Sequence, residues 1–379
     1  MDKIRRLLTE LVSIPSVNPE YCASDDPSGG EGPLGRFVLR WARTAGLHCS
    51  REQVAPGRFN VLCRLPGEKS GRRLILLTHM DTVGASGMSV PAFEPSIRGD
   101  RIYGRGTCDA KASLAAMLAA LKNLCQKGRR PSAEVLLVAT IGEEADFCGV
   151  RAFVQNAPRA DGCIVGEPTG LHVVVAHKGL VRWRLHTHGR TAHASTPHKG
   201  RNAIHLMAPV LKAIERYAEE LKRERHPLLG TATINVGRIR GGTAVNVVPD
   251  LCTVEIDMRL LPEMDPEAAR SGLARYLRSQ GVRGFTMDAP FLVDWPLEQP
   301  AGDPLVKLIQ RVSRRHGAPA RLMGANYGTD GSKVFRAGIP TVVFGPGDPA
   351  QAHTPDEYVH LEQVARAARI YEQVALEFC

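Results

Sequence analysis

No stretch of this sequence is apolar for long enough to cross a bilayer, which takes ~20 residues in a spanning helix. The opening segment does not read as a secretion signal either. The N-terminus, MDKIRRLLTELVSIPSV, alternates charge with apolar residues and has neither an apolar core nor a small-residue cleavage site. A helix over residues 2–13, with Leu7, Leu8 and Leu11 on one face, fits it better. There is no CxxC pair. The nine cysteines stand singly at 22, 49, 63, 108, 125, 148, 163, 252 and 379. That odd, scattered set argues against a disulfide framework or a zinc ribbon and for reduced thiols in a cytoplasm. Aromatic residues are only 5% of the chain, so the net charge of +10 is not interleaved with rings that could stack on bases. The basic clusters are short: KRER at 222–225 and Arg pairs at 72–73, 129–130 and 314–315. The expectation is no nucleic-acid partner and no membrane, with a cationic surface suited to small anionic substrates.

What is present reads as globular. Hydrophobic residues at 43% and charged residues at 23% are ordinary proportions, and 379 residues suffice for two domains with filled cores. Residues 22–33 form a polar loop rich in Gly and Pro, followed by a helix over 35–45. Short apolar runs at 60–64, 74–77, 134–139 and 162–165 read as strands, and the Ala- and Leu-rich segment 112–124 as a helix. This order predicts an α/β sheet flanked by helices. After Lys178 the pattern changes. Residues 180–187, 231–236 and 251–259 alternate as half-exposed strands do, around an amphipathic helix over 202–223. The reading is an α+β insertion at 179–290 within a catalytic domain of residues 1–178 and 291–379. From Asp303 a helix and then the strand PTVVFGPG resume the α/β pattern.

Six chemically capable side chains sit at comparable points. His79 follows the strand LILLT, Glu143 and Glu144 follow EVLLVATIG, Glu167 follows CIVG and His353 follows TVVFGPG, while Asp109 precedes the helix near 112. In open α/β sheets, ligands bind beyond the carboxyl ends of the strands. Two imidazoles and three of the carboxylates, with no thiolate, make a donor set for two Zn²⁺ ions, with Co²⁺ or Mn²⁺ as alternatives. One carboxylate can bridge two such ions. Of Glu143 and Glu144, one could bind metal while the other takes a proton from water. Asp81, two residues after His79, could orient that imidazole.

These residues lie in motifs that resemble the two-zinc amidohydrolases and metallopeptidases that include acetylornithine deacetylase, succinyl-diaminopimelate desuccinylase, aminoacylase and glutamate carboxypeptidase. The matching segments are THMDTV (78–83), GRGTCDAKASLAAML (104–118), IGEEADFCGVRAF (141–153), VGEPT (165–169), GRTAHASTPHKGRNAI (189–204), NVVPD (246–250), DMRLLP (257–262), YGTDG (327–331) and GPGDPAQAHTPDEYV (345–359). Two departures are AKA after Asp109, where MKG is common, and Gly142 before the glutamate pair, where an acidic residue is common.

The resemblance implies a mixed, mostly parallel catalytic sheet and an inserted lid and dimerisation domain with a four-stranded antiparallel sheet and two helices. It implies that His79 and Glu167 hold one metal, Glu144 and His353 the other, and Asp109 bridges them across a cis Asp109–Ala110 bond. Asp81 would orient His79, and Glu143 would be the general base. His193 would stabilise the oxyanion, in such families often from the partner subunit of a homodimer. Asn246 and Arg259 would bind substrate, Arg259 through the carboxylate, and Gly328 and Thr329 would contact the amino-acid end. Asp330 beside them would either favour a cationic side chain or hold its loop together. The implied substrate is a small N-acyl-L-amino acid, N-acetylornithine first. A dipeptidase or carboxypeptidase, or a desuccinylase of that family, is the alternative. An inactive binding homologue is disfavoured, because all five metal ligands and Glu143 are present.

Overall fold

The computed structural model describes residues 2–23, 26–68 and 71–379, so two positions of the 22–33 loop lie outside the described residues. In chain order the strands are β1 (His48–Ala55), β2 (Arg58–Leu65), β3 (Arg73–His79), β4 (Ser96–Arg98), β5 (Arg101–Tyr103), β6 (Glu134–Thr140), β7 (Gly162–Val165), β8 (Val173–His177), β9 (Gly179–His188), β10 (Thr233–Gly241), β11 (Leu251–Leu260), β12 (Phe285–Met287), β13 (Leu292–Asp294), β14 (Leu297–Glu298), β15 (Leu322–Ala325), β16 (Thr341–Val343) and β17 (Tyr358–His360). The helices are α1 (Asp2–Val12), α2 (Gly32–Thr44), α3 (Lys111–Gln126), α4 (Cys148–Gln155), α5 (Ala203–Leu221), α6 (Pro266–Ser279), α7 (Pro304–Arg315), α8 (Gly331–Arg336) and α9 (Leu361–Glu377). Two compact units emerge, the first made of Met1–Val175, Gln299–Met323 and Thr329–Cys379, the second of Ala176–Glu298 and Gly324–Gly328.

The first unit is an α/β layer structure. Its sheet runs β1-β2-β6-β3-β7-β16-β8. The four central strands, β6-β3-β7-β16, pair in parallel. β1 and β2 on one side and β8 on the other are antiparallel. The central strands are buried on both faces, which is why β3 reads LILL and β6 reads VLLVA without alternation. Leu74 and Leu76 face a core shared with α1, α2, α3, α7 and α9. α3 is buried around most of its circumference because it packs on α1 and α9 as well as on β3 and β6. Its Ala residues let those neighbours come close. A separate small sheet, β17-β5-β4, is antiparallel.

The second unit is an antiparallel sheet, β10-β11-β9, whose fourth position is shared by two short strands, β12 and β13, both paired with β9. Val181, Trp183 and Leu185 of β9 and Val254, Ile256 and Met258 of β11 face α5 and α6 and form the core. The opposite face carries ion pairs, Arg182 with Asp257 and Arg184 with Glu255. Period-two alternation separates the two faces. Among the described residues no helix is long and apolar enough to cross a membrane.

Candidate metal centre

The parallel strands end together, and the candidate ligands follow from that. β3 ends on His79, Glu167 comes two residues after β7, and the glutamate pair comes just after β6. Asp109 lies in the turn after β5, and His353 precedes β17. His79 Nε2 stands 3.1 Å from Asp109 Oδ1 and 3.7 Å from Glu167 Oε2. His353 Nε2 stands 3.3 Å from Asp109 Oδ2 and 3.1 Å from Glu144. Ligand atoms of His79, Asp109 and Glu167 lie within 4.8 Å of one another, and so do those of Asp109, Glu144 and His353. Asp109 belongs to both groups and turns one oxygen toward each histidine. The Asp109–Ala110 peptide bond is cis.

The electrostatics fit a pair of divalent cations. Burial pushes the Glu167 and Glu144 carboxyls up to about 7, with Asp109 nearby adding to the rise. Burial, then Glu167, hold the Glu143 carboxyl well above its ordinary range. Burial would lower the His79 imidazole, but Glu167, Asp109 and Asp81 outweigh it and raise it. Hydrogen bonds to Asp109 and Glu144 lift His353 to about 10. Crowded, desolvated carboxylates repel one another, and cations placed among them relieve that repulsion. Glu167 Oε1 is buried and has no hydrogen-bond partner among the described residues. His79 Nδ1 is 3.0 Å from the Asp81 carbonyl; donating there, it leaves the Nε2 lone pair for a metal. Nitrogen and oxygen donors without thiolate suit zinc, cobalt or manganese.

The Asp81 carboxylate has a wider part than orienting His79. Its Oδ1 is 3.5 Å from His79 Nδ1, beyond a good hydrogen bond. The carboxylate instead accepts the backbone N–H of Glu143 at 3.1 Å, that of Glu144 at 3.0 Å and the Asn18 amide at 2.8 Å. The two preceding N–H groups are also taken by side chains, Ile141 by Asn60 Oδ1 at 3.1 Å and Gly142 by Glu31 Oε1 at 3.2 Å. Four consecutive N–H groups are thus held from three other segments. Glu31 is itself gripped by Arg58 through Nε and Nη2 at 2.7 and 2.6 Å. Tyr21 donates its hydroxyl to the Glu144 carbonyl at 2.7 Å. Asn18, Tyr21, Glu31 and Asn60 escaped the sequence reading, since a side chain whose partner is a backbone group or carboxylate far away in sequence leaves no local pattern. Cys108 is buried, and burial with neighbouring carboxylates pushes its thiol well up, as for an inert packing residue.

The remaining residues singled out in the sequence are divided between the two units. His193, Asn246, Arg259 and Gly328 belong to the second unit, and Thr329 to the first. His193 is exposed and 2.7 Å from Ser195 Oγ, and its neighbour Ala194 donates to the Asn246 carbonyl at 3.0 Å. Arg259 donates Nε to Asp257 Oδ1 at 2.7 Å and Nη2 to Oδ2 at 3.4 Å. A Cβ on Gly328 would lie 2.1 Å from Asp294 Oδ2, so a larger residue there would have to displace that carboxylate. Thr329 is buried, and its hydroxyl accepts the Gly331 N–H at 3.0 Å. Of the two readings of Asp330, the structure favours the loop anchor: it is 1% exposed and accepts from Thr140 Oγ1 at 2.7 Å.

The chain is similar to known proteins along nearly its whole length. The family model for Peptidase family M20/M25/M40 matches residues 75–377. An acetylornithine deacetylase of Vibrio cholerae serotype O1 is 31% identical over 97% of both chains. The crystal structure of aminopeptidase PepT from Bacillus cereus superposes with a TM-score of 0.79 at 25% identity, over 99% of this chain and 98% of that one. A Bacillus subtilis protein described as a dinuclear metal-binding peptidase shares the fold, with a TM-score of 0.74 at 14% identity over 99% of this chain and 97% of its own.

Proposed function

The chain belongs to peptidase family M20/M25/M40, and from that premise we propose that this metallo-hydrolase cleaves the amide bond of a small N-acyl-L-amino acid, N-acetylornithine first. The observation that carries the proposal is the pair of three-donor groups sharing Asp109. Identity of 31% with an acetylornithine deacetylase along nearly the whole chain supports the substrate.

His79 and Glu167 would hold one ion and Glu144 and His353 the other, with Asp109 between them. When bound, two Zn²⁺ ions, or Co²⁺ or Mn²⁺ in their place, supply Lewis acidity that polarises the amide carbonyl and acidifies a water. Glu143 accepts the proton of that water and returns it to the leaving amine. The bonds to residues 141–144 keep it in position. Asp81 acts through those bonds and through His79. His193 donates to the oxyanion. Arg259 pairs with the substrate carboxylate, in competition with Asp257. Asn246, Gly328 and Thr329 contact the amino-acid end.

The second unit would serve as lid and homodimer contact. β10 is an edge strand with no partner on its outer side among the described residues, and Ile204, Ile239, Val245 and Leu251 are exposed near its end. Nine cysteines, all free, support a reducing, cytoplasmic setting.

Turnover of N-acetylornithine, N-succinyl-diaminopimelate, N-acetylmethionine and a dipeptide, with and without Zn²⁺ or Co²⁺, tests the reading. Metal-dependent acetate release from N-acetylornithine is the expected outcome. Cleavage of the dipeptide alone would move the function to the peptidase alternative, which the likeness to an aminopeptidase favours. Lack of turnover with two ions bound would remove all four substrates.

A further inference from the structure

Two of the five candidate ligands, Asp109 and His353, are carried by chain next to the small sheet rather than the main one. β5 and β17 pair antiparallel, with Tyr103 opposite Tyr358. The chain leaving β5 therefore runs beside the chain entering β17. This is what brings Asp109 and His353 together from distant parts of the sequence. Glu357, the residue before β17, lies at the junction. Its carbonyl accepts the Gly104 N–H at 3.0 Å. Its carboxylate folds under the 104–109 turn. Oε1 accepts the backbone N–H of Cys108 at 2.8 Å and of Asp109 at 3.0 Å. Oε2 accepts the Gly106 N–H at 3.1 Å and Arg105 Nη1 at 2.6 Å. The Glu357 and Arg105 side chains are 1% and 3% exposed. Arg105 also reaches back to the Thr354 carbonyl at 3.4 Å, beside His353.

A buried carboxylate is expensive unless every lone pair is used. This one has four donors, and three of them are backbone groups of the turn that ends on Asp109. Its effect is therefore on where that turn sits. We propose that Glu357 is the positioning residue for Asp109: it fixes the backbone of the shared carboxylate and ties it to the segment carrying His353, so that each Asp109 oxygen faces its own histidine. This rests on the two-ion reading of the centre. Metal ligands need placement to ~0.5 Å, which a relaxed turn does not give.

Two substitutions isolate the effect. Glu357→Gln keeps the volume but turns an NH₂ group toward the N–H donors. Glu357→Asp keeps the charge beside Arg105 and withdraws the carboxylate by one methylene, so it serves where the glutamine variant does not fold. The metal-free proteins are titrated with Co²⁺, followed by calorimetry and by the visible absorption of bound cobalt, alongside thermal melting. The expected result is two ions for the wild type. In the variants the second ion should bind at least tenfold more weakly with an altered cobalt spectrum, and kcat should fall more than KM changes. A lower melting temperature with two ions at wild-type affinity and an unchanged spectrum would mean a purely structural role and overturn the proposal. A wild type that takes up fewer than two ions would overturn the two-ion reading, and this proposal with it.

Discussion

At Gly142 the backbone takes φ +76°, and a Cβ there would stand 2.5 Å from Cys148 Sγ and 2.9 Å from Asp146 Oδ1. Glycine is what this turn allows, which accounts for the absence of an acidic residue at that place. The turn also breaks the strand geometry that would send Glu143 and Glu144 to opposite faces. Glu143→Gln keeps the shape of the base and removes its basicity. Its kcat should fall about 10²–10⁴-fold while metal analysis still finds two ions per chain. Turnover near the wild-type rate would take the base role away from Glu143. Residues such as His79 and Glu167 were legible because each closes a strongly apolar strand. Glu31, Asn60 and Glu357 were not. They act on backbone N–H groups far away in sequence, and their neighbours in GGEGP, FNVL and HTPDEYV show no periodicity that would single them out.

Elements buried on both faces could be read directly, as β3, β6 and β7 show. β1 could not, since HCSREQVA at the sheet edge is polar or half-exposed nearly throughout. The three-residue strands SIR, RIY and YVH are too short for any period, yet β5 and β17 deliver Asp109 and His353. Parallel pairing was expected to dominate the main sheet; it occupies its centre, with antiparallel strands on either side. α5 was visible from its apolar stripe, and its start has a clear cause. Asn202 Oδ1 accepts the N–H groups of Ile204 at 2.9 Å and His205 at 3.2 Å. Asn202→Ala should destabilise the protein by about 0.5–2 kcal/mol, seen as a lower urea midpoint. An unchanged midpoint would show that core packing alone defines the helix start.

For the molecule as a whole, the exposed end of β10 gives the most direct test of assembly. Ile239→Asp puts a charge into the apolar surface there. Light scattering should show a mass of two chains falling to one, with metal content unchanged. A wild type that already runs as one chain would rule out the dimer. A different consequence follows from the order of the parallel strands. β16 completes the central sheet by pairing with β7, and the entire segment Ala176–Glu298 is made between them. On the ribosome, β7 must therefore keep an open edge until that segment has emerged. The contact separations are long, so this sheet closes slowly. An interrupted synthesis would release a chain with a bare apolar strand edge, the kind of surface that chaperones cover and that aggregates capture.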